Sequence, residues 1–192
     1  MKSFTRKLVL SAALVAALPA WAVVDVKGAK FNDTYQLANQ ALQLNGAGVR
    51  VKVIVDVYAA GLYVSKKDRS VNGLLGQSGP KSLQIVLLRD LTGEDFADAM
   101  TKGFKKNNTE ADLAKFQAKL DEIRTLMISF GSVKKGTTIR IDNTPGAGTR
   151  VLVDGVAKGD LAGDDFYTAL LRIWLGNSPV DSDLKDALLG AK

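Results

Sequence analysis

The chain has 192 residues, with 26 Lys+Arg against 20 Asp+Glu (formal net charge +6) and neither cysteine nor histidine. Without cysteine there are no disulfides, no thiol chemistry and no Cys metal sites; without histidine the usual general base and the commonest metal ligand are missing. Serine–histidine and cysteine–histidine hydrolases are thereby excluded, and any catalysis falls to Arg, Lys, Tyr, Thr or carboxylates.

The first stretch reads as an address rather than a fold. Met1 to Lys7 carries Lys2, Arg6 and Lys7, Leu8 to Leu18 is apolar, and Pro19-Ala20-Trp21-Ala22 ends in a small-x-small cleavage pattern. That is the pattern of a secretory signal peptide cut after Ala22. A membrane anchor would need about 20 apolar residues, more than this core offers. Three of the 26 cations leave with the signal, so 23 remain against 20 acids, a net of +3. They are scattered in short pairs such as Lys66-Lys67, Lys105-Lys106 and Lys134-Lys135. No basic stripe interleaved with aromatics appears, so nucleic acid is not an expected partner. With no second apolar stretch and no lipobox cysteine, the expectation is an exported, periplasmic protein without a transmembrane anchor. Residues 23–192, about 170, suffice for one core without staples and contain no linker, so one domain is expected.

Val24 to Val26 offers a short strand before a loop with Gly28 and Asn32-Asp33. Tyr35 to Leu44 reads as a second strand. Gly46 and Gly48 then suggest a turn, followed by Arg50 and a long strand to Ser65. In it Val51, Val53, Val55 and Val57 alternate with Lys52, Ile54, Asp56 and Tyr58, the two-residue period of a strand with one buried face. Ser70 to Pro80 is loop with one helical turn at Val71 to Leu75. Lys81 to Arg89 is apolar enough to lie centrally in a sheet.

From Leu91 the period changes. Thr92-Gly93-Glu94-Asp95 sets a hydroxyl three residues before a carboxylate, a helix start. Phe96, Met100 and Phe104 share a helical face to about Lys106. Thr109 to Asp112 repeats the cap, and Leu113, Phe116, Leu120, Ile123, Met127 and Phe130 recur at spacings of three and four. Thr137 to Asp142 and Thr149 to Val153 flank a turn cluster, Asn143 to Gly146, and Asp154-Gly155 marks a second hairpin turn. Asp164 starts a helix bearing Phe166, Leu170, Ile173 and Trp174 on one face, stopped at Gly176. Ser182 to Leu189 gives a last short helix. Strands and helices come in groups rather than in alternation, which makes the fold α+β, a mainly antiparallel sheet with helices on one face.

LNGAGVR followed by VDVYAAGLYV, then LRDLTGEDF and the closing WLGNSPVDSDLKDALLG, resembles the chalcone isomerase-like family, in its secreted bacterial branch, over roughly Val24 to Gly190. The resemblance implies an open-faced β-sandwich, a large antiparallel sheet with a helical layer and a ligand cleft between them. It also implies site positions. In the enzymes of the family an arginine after the Gly-rich turn assists ring closure of a chalcone, and Arg50 stands there. A threonine that polarises the ketone through water is replaced by Tyr58, a tyrosine of the same water network by Phe96, and an asparagine by Gly103. One of four polar groups is kept, one is exchanged and two are lost. Each lost transition-state donor costs on the order of 10²–10³ in rate, so the expectation leans away from an enzyme.

An arginine in an apolar cleft still grips a carboxylate with its planar fork. Relatives of the fold bind fatty acids with an arginine and a tyrosine, and Arg50 with Tyr58 matches that pair, with Phe96 and Met100 as an acyl-accepting wall. Three readings stand side by side. The first is a non-catalytic binding protein for a small amphipathic carboxylic acid, fatty-acid-like or aromatic, with Arg50, Tyr58, Phe96 and Gly103 at the site. The second is an isomerase or intramolecular lyase of the chalcone isomerase type, working through Arg50. The third is an envelope protein-interaction module. No cofactor or metal is expected in any of them. The plainer alternatives are an Arg50 paired with Asp56 or a helix carboxylate, a half-buried strand Tyr58, and Phe96, Met100 and Phe104 as helix-to-sheet core. Asp164-Asp165, Asp181 and Asp183 suit helix starts better than an ion site.

Overall fold

A computed structural model describes residues 22–191; residues 1–21 of the expected export signal lie outside it, as does Lys192. The chain opens with β1 (Val23–Val26), β2 (Ala29–Asn32), β3 (Thr34–Leu37), β4 (Gln40–Lys52) and β5 (Val55–Val64). Next come α1 (Val71–Gly76), β6 (Lys81–Leu87), β7 (Leu91–Thr92), α2 (Gly93–Asn107) and α3 (Glu110–Ile128). It closes with β8 (Ser132–Val133), β9 (Thr138–Thr144), β10 (Gly148–Val153), β11 (Val156–Leu161), α4 (Asp164–Leu175) and α5 (Ser182–Leu188). Seven strands make one antiparallel sheet in the order β11-β10-β9-β6-β5-β4-β3. The expected α+β architecture is what forms, with β6 at its centre.

The helices begin where the cap chemistry placed them. Thr92 and Thr109 each accept the backbone N–H three residues on, while Asp95 and Asp112 reach back to the cap, two complete capping boxes. Asp181 caps α5 by accepting from Leu184. Phe96, Met100 and Phe104 of α2, Phe116, Leu120, Ile123 and Met127 of α3, and Phe166, Leu170, Ile173 and Trp174 of α4 pack on Leu62, Leu83, Ile85, Ile139, Ile141 and Val151. That is the core, and it covers one face of the sheet.

Three strand expectations need correction. The loop expected after Val26 holds a strand of its own, β2, which pairs antiparallel with β1 around a tight turn at Lys27-Gly28. Tyr35 to Leu44 is a hairpin rather than one strand, because Ala38 and Asn39 take φ of 49° and 60° and reverse the chain. The long strand after Arg50 is likewise folded back on itself. Lys52 pairs directly with Val55 across a two-residue loop, Val53–Ile54, and the β-branched alternation runs straight through it with no Gly, Asn or Pro to mark the turn. Gly46 and Gly48, expected as that turn, lie inside β4. A Cβ on Gly46 would sit 2.0 Å from the Ala187 carbonyl oxygen, and one on Gly48 would sit 2.5 Å from the Ala187 Cβ. These glycines let α5 lie directly on the strand backbone. The bulge between them and Leu44 turns Asn45 inward, where its Nδ2 donates to the carbonyls of Leu188 (2.7 Å) and Asp68 (3.0 Å).

The opposite face of the sheet is filled by the β1–β2 hairpin. Ala29 and Phe31 pack there with Leu42, Leu44, Ala59 and Tyr63. The Tyr35 hydroxyl on edge strand β3 donates to Asp142 Oδ2 on β9 at 2.8 Å. Those strands are four places apart, about 19 Å in a flat sheet, so the bond requires a strong curl. Arg140 stacks 3.7 Å from the Tyr35 ring centroid and donates to Ser82 and Gln84. Burial raises the Asp142 carboxyl above its ordinary value, against hydrogen bonds from Ser82 and Tyr35 and the charge of Arg140. Burial, with the nearby Asp142 charge, pushes the Tyr35 hydroxyl up to about 12.

Two measurements test this packing. Gly46→Ala should lower unfolding free energy in urea by about 1–3 kcal/mol through overpacking. Gly76→Ala, where nothing lies within 4 Å of the new Cβ, should stay within about 0.5 kcal/mol of wild type. The native Asp142 holds its proton to higher pH than the unfolded chain, so its neutral form favours folding at low pH, and that contribution fades as pH rises above 3.8 through the native value. Wild-type stability relative to Asp142→Asn should therefore decline with rising pH across that window in parallel urea titrations.

Candidate ligand-binding site

The antiparallel register sets Arg50 of β4 directly opposite Tyr58 of β5 on the helix-facing side. The guanidinium carbon lies 5.5 Å from the Tyr58 ring centroid, within cation–π reach. Tyr58 itself is only 2% exposed, and its hydroxyl oxygen accepts from the Trp174 indole N–H of α4 at 2.8 Å. Burial raises its pKa, while Arg50 and the Trp174 hydrogen bond pull the other way. Phe96 of α2 closes the group, its ring centroid 6.4 Å from that of Tyr58.

Arg50 is half-buried and forms no ion pair among the described residues. Asp56, a candidate partner in the sequence, pairs with Lys27 at 3.4 Å instead. Asp98 of α2 is held by Arg124, and Asp181 accepts from the Val51 amide at 2.8 Å. Asp95 lies below the ordinary carboxylate range, first through the Thr92 hydroxyl and amide, with Lys52 and Arg89 adding their charge. The Arg50 Nε is buried with no hydrogen-bond partner. A buried guanidinium N–H without an acceptor carries a real desolvation cost.

That guanidinium opens on space. A cleft of about 380 Å³ runs between Arg50, the α2 residues Ala99, Lys102 and Gly103, and the segment Ser178–Val180 after α4. A smaller one of about 200 Å³, sharing Arg50, Lys52, Asp95 and Ala99, reaches Phe96 and Leu91. Gly103 is there for close approach: a Cβ would meet Ile173 at 2.8 Å and Val180 at 3.4 Å. All four expected residues thus meet in one region, but in unequal roles. Arg50 and Gly103 face the larger cleft, Phe96 edges the smaller one, and Tyr58 supports Arg50 from the core.

The interior differs from the expected acyl-lined hollow. Met100 is packed in the core rather than in a cleft wall, and the seam among Leu83, Ile141, Tyr167, Leu170 and Trp174 has no room for a water. Arg50 therefore stands at an open mouth rimmed by Lys52, Lys102 and Lys106 together with Asp95 and Asp98, instead of at a closed apolar end. The cleft wall at Ser178–Val180 and the rim at Lys52, Lys102 and Lys106 were missed from the sequence. The Pro179 break after the Trp174 helix was their only signal. A still larger cleft, about 540 Å³, lies at the other end of β4. It holds none of the expected residues, and its Asn45 and Asp68 are already bonded to each other.

No metal-holding group of acidic side chains occurs among the described residues. A family model described as chalcone isomerase-like matches residues 23–190. No curated protein matches the sequence significantly. Among solved structures, a fatty-acid binding protein of Arabidopsis thaliana is similar with a TM-score of 0.67 at 18% identity, covering 88% of this chain and 97% of that one. At that identity the likeness speaks to the fold.

Tyr58→Phe would leave the buried Trp174 N–H without its acceptor and should cost about 1–3 kcal/mol in urea unfolding. An unchanged midpoint and slope would mean that the indole finds another partner.

Proposed function

The chain belongs to the chalcone isomerase-like family, and from that premise we propose that it is an exported, non-catalytic binding protein for a small amphipathic carboxylic acid. The observation that carries this reading is Arg50: a half-buried guanidinium with no ion pair among the described residues, lining the mouth of a cleft of about 380 Å³. A carboxylate is the ligand group that fits it, since two parallel charge-assisted hydrogen bonds would satisfy the fork. Lys52 and Lys102 at the rim add charge, and the body of the acid would lie along Ala99, Gly103 and Val180. The volume lies in the range of small-ligand pockets. The Arabidopsis protein of the same fold, a fatty-acid binding protein, supports an acyl acid as the ligand class.

Catalysis fits less well. Phe96 and Gly103 offer no hydrogen-bond donor, and the Tyr58 oxygen is engaged by Trp174. Of the four positions only Arg50 and the buried Tyr58 O–H remain as donors to a developing oxyanion, and each missing donor costs on the order of 10²–10³ in rate. For the compartment, the signal-like pattern over residues 1–22 and a family match that begins at residue 23 support export to the periplasm.

Displacement of a fluorescent fatty acid tests the reading. Arg50→Ala should weaken binding at least tenfold, because a charge-assisted hydrogen bond contributes about 1.5–3 kcal/mol, with Arg50→Lys falling between. Equal affinities for wild type and Arg50→Ala would remove Arg50 as the anchor. In the same preparation chalcone cyclisation should not exceed the rate in buffer.

A further inference from the structure

The tip of the β4–β5 hairpin breaks two local rules at once. Val53 holds φ 63° in the two-residue loop. Loops of this length take Gly, Asn or Asp where φ is positive, and a β-branched residue there is strained. Val53 and Ile54 are also 91% and 89% exposed, flanked by the exposed Val51 and Val55. Val53 and Ile54 thus stand almost wholly in water, Val53 in the backbone conformation least suited to it, and neither belongs to a core cluster of the described residues. A local rule broken without internal compensation is the mark of a surface kept for contact.

The charge around the tip says what it contacts. Lys52 lies within it, and Arg89, Lys102 and Lys106 line the clefts that open beside it. None of the four forms an ion pair among the described residues, whereas the neighbouring acids are engaged: Asp56 by Lys27, Asp98 by Arg124, Asp95 in the α2 cap. Protein interfaces are depleted in lysine. An apolar wedge ringed by Lys and Arg without ion-pair partners, of which Lys52 and Arg89 feel only the Asp95 carboxylate at longer range, is instead the composition that sits at anionic lipid headgroups.

We propose that the β4–β5 tip docks on an anionic bilayer, with Val53 and Ile54 entering the acyl boundary and Lys52, Arg89 and Lys102 meeting lipid phosphates. Docked this way, the cleft mouth faces the membrane, and an amphipathic acid passes from lipid to Arg50 without crossing bulk water. That transfer rests on the binding function proposed above; the docking does not.

The test is co-sedimentation of the processed protein with phosphatidylglycerol-containing vesicles and with pure phosphatidylcholine vesicles. Binding is expected to the anionic vesicles, to fall as salt rises, and to weaken at least tenfold in the Val53→Asp/Ile54→Asp double variant. Aspartate tolerates positive φ better than valine, so the double variant should melt no lower than wild type. Ile54→Trp should show a blue-shifted emission with anionic vesicles alone. Equal sedimentation of wild type and double variant, or no sedimentation of either, overturns the docking. So does a wild type that dimerises through the tip in light scattering and ignores vesicles. The two proposals fail separately: fatty-acid displacement should be unchanged in the double variant, and Arg50→Ala should still sediment with vesicles.

Discussion

The contact on which the arrangement depends is the close seating of α5 on β4, backbone against backbone at Gly46 and the Ala187 methyl against the strand at Gly48. Any side chain at Gly46 would occupy the place of the Ala187 carbonyl. With α5 seated, its cap Asp181 reaches the Val51 amide, and the segment before it, Ser178–Val180, is held over α2. Asn107 fixes that segment from the other side, donating to the Ser178 carbonyl and accepting from its amide. The outer wall of the Arg50 cleft is therefore set by two missing side chains some distance away.

Behind Arg50 the logic is electrostatic. A guanidinium drawn half out of water needs compensation. The Tyr58 ring supplies some through its face, and Trp174 locks that ring by a hydrogen bond from a different layer of the fold. Carboxylates that could have neutralised Arg50 are turned to other tasks: a cap, a strand amide, a bond to Arg124. What remains is a positive group fixed by the sheet, supported from within and open on one side. Chemistry that would need several donors converging on one oxygen is absent at Phe96 and Gly103, whereas gripping an anion needs only the fork.

Much of this was legible in the sequence. The Thr92 and Thr109 caps, the apolar stripe of α3, the central position of β6 and the Asp154-Gly155 turn all follow from local chemistry, and so does the α+β order. The hairpins were harder. At Val53–Ile54 the turn carries no turn residue, so the alternation of valines hid the reversal; at Ala38–Asn39 only Asn39 spoke, and Ala38 muted it. The glycines of β4 read as a turn because what they accommodate, α5, is some 140 residues away in the chain. Arg50, Tyr58, Phe96 and Gly103 do come together, but which of them faces space depends on helix placement, and no spacing along the strand encodes that.

The Tyr35–Asp142 bond carries one more consequence. A terminal strand of an open sheet is where a second chain can add itself or exchange its own copy. Here β3 is such a border, yet its tyrosine is fastened across the concave side to a buried carboxylate on β9. Peeling the border away would cost that acid one of its two donors, leaving Ser82, and uncover Arg140. The curl of the sheet thus doubles as a safeguard against domain swapping.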